Sequence, residues 1–163
     1  MNLAPLQLLD YFVHSLNVEA LGTYDPEKQQ ELDLESLEVK ESCFPVGEEH
    51  PNRFAVDLLI KQPAVDGKNL PYAYELHMLG FVDAHPDFPK ENLQRMVEIN
   101  GPSMLFGSAR EILRTATGRG PYGPVMIPST SFFKAEPKSK TKKKSPVKKT
   151  KSAAKKKTIS RKK

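Results

Sequence analysis

The sequence predicts an α+β fold, on three observations. Residues 102–120 carry one apolar stripe at helical spacing, with Leu105, Ala109, Ile112, Leu113 and Ala116 at i, i+4, i+7, i+8 and i+11. Upstream, residues 53–62 and 70–83 alternate apolar and polar side chains, and the turn pair Asp66-Gly67 between them signals a hairpin. Charge then divides the chain. Of 25 basic and 20 acidic residues, 15 basic and one acid, Glu136, fall in 134–163, which leaves residues 1–133 with 10 basic, 19 acidic and a net charge of −9. An acidic domain, 1–133, therefore precedes a strongly basic tail, 134–163.

Leu6–Ala20 fits two patterns. Leu6, Leu9, Val13 and Leu16 share a helix face, whereas Leu6, Leu8, Phe12, Leu16 and Val18 alternate as in a strand, with Asp10 and His14 as faults. Gly22–Lys28, with Asp25-Pro26, is turn chemistry. Glu31–Val46 reads as a second strand in which the phase slips between Leu34 and Leu37, the signature of a bulge. Residues 47–52 form a polar turn. In the strand 53–62, Phe54, Val56, Leu58 and Ile60 face inward, and Leu59 on the other face suggests partial cover there. In 70–83, Tyr72, Tyr74, Leu76, Met78 and Val82 share one face, opposite Glu75 and His77. After a loop at 83–89, Glu91–Ile99 reads as a short helix with Leu93, Met96 and Val97 inward, broken by Asn100-Gly101.

The main helix then starts at Pro102, a residue suited to a first turn, and stops at Gly118 and Gly120, where positive φ is often needed. Arg114 and Arg119 sit at the negative pole of its dipole. As a pattern this is a core helix of a small domain. Its residues are more specific. Pro102, Leu105-Phe106, Ala109-Arg110-Glu111 and Ile112, then Arg119-Gly120 and the apolar segment Tyr122–Pro128, resemble the helix signature of the SecB family, the export chaperones that hold unfolded precursors.

That resemblance implies a four-stranded antiparallel sheet with the main helix packed on one face. It implies that Leu6–Ala20 is a strand ending in an acid, here Glu19, followed by a loop that crosses over the sheet. Glu75 and Gly80 match a family strand in which an acid precedes an apolar residue and a glycine follows. Glu19 and Glu75 are thereby candidate contacts for a SecA-type translocation motor, with Ser15 at the position of a further family acid. Tyr122, Val125, Ile127 and Phe132 are candidate linings of an apolar client groove. Beyond Ile127 the chain departs from the family. Ser131-Phe132-Phe133 leads straight into the lysine tail where family members carry a second amphipathic helix. The implied function is ATP-independent holding of unfolded or precursor polypeptides, by a homo-oligomer built as a dimer of dimers, in the cytoplasm. Some family members instead protect an antitoxin.

The tail has almost no apolar residues to offset the entropy of ordering, so it is expected to be disordered. Lys142, Lys143, Lys144, Lys148, Lys149, Lys155, Lys156 and Lys157 form runs that resemble linker-histone tails. Such runs suit nucleic acid or another polyanion through counterion release, and equally suit self-neutralisation by the acidic domain. A nucleic-acid-associated protein with a multimerising core is the alternative reading.

Other chemistries find little support. The glycines of 118–123 lack the Gly-Lys-Ser/Thr of a phosphate loop. His14, His50, His77 and His85 have no ligand spacing, and Cys43 is the only cysteine, so neither a metal site, an internal disulfide nor a catalytic site is indicated. No cofactor is implied. The N-terminus has no basic leader region and no apolar run reaches the length of a membrane span.

Overall fold

A computed structural model describes residues 4–133 of the chain. They form β1 (Leu6–Ala20), β2 (Glu38–Pro45), β3 (Arg53–Gln62), β4 (Tyr72–Ala84) and one helix, α1 (Lys90–Thr117). The four strands make one sheet in the order β1-β4-β3-β2, every neighbouring pair antiparallel. The α+β class and the single sheet with a helix on one face are as the sequence predicts. The lysine runs of 134–163 lie outside the described residues.

β4 shows why the sheet forms. Its side chains alternate buried and half-buried along all 13 residues, so Tyr72, Tyr74, Leu76, Met78, Val82 and Ala84 face the helix. β3 contributes Phe54, Val56, Leu58 and Ile60 to the same layer, and α1 closes it with Leu93, Val97, Leu105, Phe106, Ala109 and Leu113. Leu59 is half-buried on the other face.

β1 resolves as a strand, and its two faults in alternation are bulges. The register against β4 shifts between Leu8 and Asp10 and again between Val13 and Ser15, which leaves Leu9 and His14 as the extra residues. The bulge expected at 34–37 is absent. β2 begins only at Glu38 and pairs in unbroken register with β3. Residues 33–37 form a turn instead, with the Leu37 amide on the Asp33 carbonyl (3.2 Å) and the Glu35 amide on the Asp33 carboxylate (3.3 Å). Local side-chain capping by an Asp outcompetes the strand ladder here. The Ser36 hydroxyl is the main cause that holds the Asp33 carboxyl below its usual range, helped by the Glu35 amide.

β1 and β2 lie at opposite edges, so residues 21–37 cross from one edge to the other. Asn69 of the β3–β4 hairpin pins them. Its side chain accepts the Asp25 amide (2.8 Å) and donates to the carbonyls of Asp25 (3.0 Å) and Gln29 (3.1 Å).

The two predicted helices are one. Asn100-Gly101 does not break α1, and Pro102 lies in its interior, buried. Gly101 serves packing: a Cβ there would sit 2.9 Å from Val56 Cγ2, so helix and sheet approach more closely than an alanine permits. Around the amide that Pro102 lacks, the Ser103 hydroxyl and the Asn100 side-chain amide donate to the Ile99 and Met96 carbonyls. The buried line is rotated from the predicted stripe. It runs through Leu93, Val97, Gly101, Leu105, Ala109, Leu113 and Thr117, while Ile112 and Ala116 are only half-buried at its flank. The stop also differs. Gly118 is right-handed, with φ of −62°, and Gly120 is required because a Cβ would meet the Tyr72 hydroxyl at 2.5 Å.

Candidate functional site

After α1 the chain runs back as an extended segment, 122–133, between the helix and the β2 side of the sheet. Thr117, buried at the helix end, anchors its start. The Thr117 hydroxyl donates to the Leu113 carbonyl (2.7 Å) and accepts the Val125 amide (2.9 Å). The Tyr72 hydroxyl donates to the Thr117 carbonyl (3.1 Å) and accepts the Tyr122 amide (2.9 Å). Arg110 then donates to the Ile127 carbonyl (2.9 Å) and the Ser129 hydroxyl (3.2 Å). Phe132 packs edge-on against Phe106 at 5.8 Å, and Phe133 lies over the Arg95 guanidinium at 5.9 Å.

Of the four candidate groove residues, Val125, Ile127 and Phe132 are therefore buried, and Tyr122 is half-buried between Tyr24 and Tyr72. They line the underside of the segment. Beside Phe132 opens a cleft of about 200 Å3, walled by Cys43, Ile99, Glu41, Arg95 and Glu98. The exposed apolar side chains of this half of the molecule are Leu32, Leu34, Phe44, Val46, Met126 and Phe133, none of which is among the groove residues expected from the sequence. Leu32 and Leu34 carried a signal, two leucines between acids, which was read as strand alternation. Under the crossing loop, Tyr74 and Gln62 line a small gap with Leu32, Leu70 and Val125, and among the described residues the buried Tyr74 hydroxyl and the Gln62 side-chain amide oxygen have no hydrogen-bond partner. Burial pushes the Tyr74 phenol up to about 12.

β1 is the barest element. Leu9, Tyr11, Phe12, Val13 and Leu16 are all exposed: Tyr11, Val13 and Leu16 lie in register with the helix-side row of β4, Phe12 with its outer row, and Leu9 in a bulge. A groove of about 550 Å3 runs between β1 and α1, floored by Tyr11, Leu16, Ile112 and Ala116. Among the described residues, no strand lies beside the outer edge of β1.

The sheet face away from the helix holds Glu19 and Glu75 on adjacent strands, in a register that pairs Glu19 with Ala73 and Asn17 with Glu75. The two acids are brought to one surface. Glu75, however, is engaged by Lys61 across β3 (2.6 Å), and that carboxylate raises the Lys61 ammonium above its usual value. The neighbouring rows are also paired across strands: Arg53 with Asp83 (2.8 Å) and His77 with Asp57 (2.9 Å). His14 packs edge-on against His77 at 4.9 Å, and Phe12 against Phe81 at 6.2 Å. Among the described residues, no group of three or more His, Cys, Asp and Glu side chains is placed to hold a metal ion, and no helix is long and apolar enough to cross a membrane.

These features define a class: a single-sheet α+β domain whose described residues leave large apolar side chains exposed along β1 and on the β2 side. Comparison with known proteins specifies it. The family model for preprotein translocase subunit SecB matches residues 4–136. A protein-export protein SecB from Rhodopseudomonas palustris (strain TIE-1) is 30% identical over 116 residues, which cover 71% of this chain and 70% of that protein. One from Brucella ovis is 37% identical over 79 residues, 48% of each chain, so the chain spans about half the length of several such relatives. Among solved structures, the Mycobacterium tuberculosis Rv1957 SecB-like chaperone, in complex with a ChAD peptide from the Rv1956 HigA1 antitoxin, superposes with a TM-score of 0.55 at 15% identity. That match covers 78% of this chain and 88% of the other. The chain belongs to the SecB family.

Proposed function

We propose that this protein is an ATP-independent chaperone that holds unfolded polypeptides for export. The observation that carries the reading is the uneven cover of the sheet. One helix and one extended segment bury the β4–β3 half, and long apolar side chains stand bare along β1 and beside β2. Scattered apolar residues are ordinary on a protein surface. Tyr11, Val13 and Leu16 share the helix-side face of a single edge strand beside a groove, and together they are an interaction surface. Unfolded chains share extended backbone and alternate apolar side chains, which such edges and grooves accept without sequence specificity. Family membership gives this surface its purpose in export. Full-length protein is expected to suppress aggregation of a chemically unfolded protein without nucleotide, and unchanged light scattering at molar excess would remove the proposal.

The same bare β1 edge and its groove beside α1 are the surface on which a second copy would seat, towards the dimer-of-dimers assembly. The outer sheet face is the proposed motor contact, with Glu19 as its free acid, because Lys61 occupies Glu75. We place the activity in the cytoplasm. A second reading, nucleic-acid association, rests on the 15 basic residues of 134–163.

A further inference from the structure

Segment 122–133 lies on its own domain much as an extended client would. Its side chains alternate: Val125 and Ile127 point in with Met126 out between them, and Phe132 points in with Phe133 out. Among the described residues, no backbone–backbone hydrogen bond joins 121–133 to any strand or helix. The segment is held by side chains and by apolar seats.

Its two limbs are held unequally. The proximal limb, 122–127, has the Tyr72 hydroxyl, the Thr117 hydroxyl and Arg110 on its backbone, and Ile127 is 1% exposed. Among the described residues, the distal limb, 129–133, is joined to the domain by one hydrogen bond, from Arg110 to the Ser129 hydroxyl, by the contact of Phe133 with the Arg95 guanidinium at 5.9 Å, and by one apolar anchor, Phe132. Residues 129–131 are exposed. Among the described residues, the seat of Phe132 is also open at one side, since the cleft of about 200 Å3 begins there. A seat that receives one aromatic ring from an extended segment, next to such a cleft, can receive the same group from another chain.

We propose that the Phe132 seat is an exchange site. An aromatic or large aliphatic side chain of an extended, unfolded polypeptide takes the place of Phe132 and lifts residues 129–133 off the cleft between β2 and α1, while the proximal limb stays docked. The inference rests on the holding function proposed above. It accounts for a holding surface whose matching residues are buried in the free protein: the distal limb covers an adhesive seat until a client competes for it.

Cys43 is a built-in reporter, because it is half-buried in the cleft wall with its thiol 4.0 Å from the Val97 carbonyl. The experiment follows maleimide labelling of Cys43 in the full-length protein, with and without reduced, carboxymethylated α-lactalbumin as a permanently unfolded probe. Lifting of the distal limb should raise the labelling rate at least fivefold at saturating probe. A client that merely caps the cleft would lower it, and a lowered or unchanged rate overturns the proposal. Ser129→Ala, which removes the tie from Arg110 and leaves the Arg110 bond to the Ile127 carbonyl in place, should raise labelling severalfold without probe and tighten probe binding. An unchanged rate in that variant also overturns it. Hydrogen exchange of the Leu76 and Met78 amides should stay unchanged in Ser129→Ala, and faster exchange there would attribute the labelling to general loosening and count against the proposal. Probe binding with unaltered Cys43 labelling defeats the exchange site alone. Absence of probe binding defeats the holding function with it.

Discussion

Substitution of Leu113 tests whether the buried line of α1 is correctly placed. Leu113 is 1% exposed and packs in the main core, whereas its neighbours Ile112 and Arg114 are half-buried and exposed. Leu113→Ala removes three carbon groups, worth about 0.8 kcal/mol each in transfer, and the cavity left behind brings the total to about 3–4 kcal/mol. Ile112→Ala, at the flank beside the β1 groove, should cost about 1 kcal/mol, since only part of the side chain is withdrawn from water. Arg114→Ala breaks an exposed pair with Glu111 at 3.4 Å and should cost roughly 0.5 kcal/mol or less. Urea unfolding reads all three. With a slope of about 2 kcal/mol per molar, Leu113→Ala should lower the midpoint by about 1.5–2 M and Arg114→Ala by about 0.3 M or less. If Ile112→Ala proves as costly as Leu113→Ala at low protein concentration, the helix is rotated relative to this placement. A cost at Ile112 that grows with protein concentration would instead mark the β1–α1 groove as a self-association surface.

Thr117→Val leaves the Val125 amide buried without an acceptor and should cost about 1–3 kcal/mol, read by the same urea midpoint. Tyr74 has no hydroxyl partner, so Tyr74→Phe should be neutral or stabilising at pH 7. Its phenol titrates near 10 unfolded and at about 12 folded, so the folded state keeps a proton that the unfolded chain gives up. The wild-type protein should therefore lose stability as pH rises from 10 to 12, and Tyr74→Phe should lose less over that window. If the tail engages about five phosphates, binding to duplex DNA should show a log–log salt slope of about −4 to −5 per tail, abolished by deletion of 134–163. Absence of DNA binding at low salt would remove the nucleic-acid reading.

Strong alternation was legible in the sequence. β4 follows it residue by residue and β3 does so from Val56 onward, with Ala55 buried out of phase, because both are central strands with one fully buried face. Beyond them, two signals were misread for one physical reason: a residue type with two uses was assigned the commoner one. Gly101 and Pro102 read as a boundary, but the helix needs a small residue where it crosses Val56. Asp10 and His14 read as faults in a strand, and the strand absorbs them with bulges at Leu9, which returns Asp10 to register with Phe81, and at His14. The site was less legible than the fold. The helix motif pointed to the segment that follows it, Tyr122–Pro128, yet the inward and outward residues of an extended chain outside the sheet are set by tertiary seats that no local period encodes. Thr117 was missed altogether, because a hydroxyl at a helix end gives no pattern signal until Tyr72 and Val125 are seen around it.

The central claim is that this surface distinguishes unfolded chains from folded ones. Fluorescence anisotropy of labelled α-lactalbumin, titrated with the full-length protein in the absence of nucleotide, tests it most directly. The account predicts saturable binding of the reduced, carboxymethylated form and none of the native, disulfide-intact form. Equal binding of both forms, or binding of neither, would contradict it.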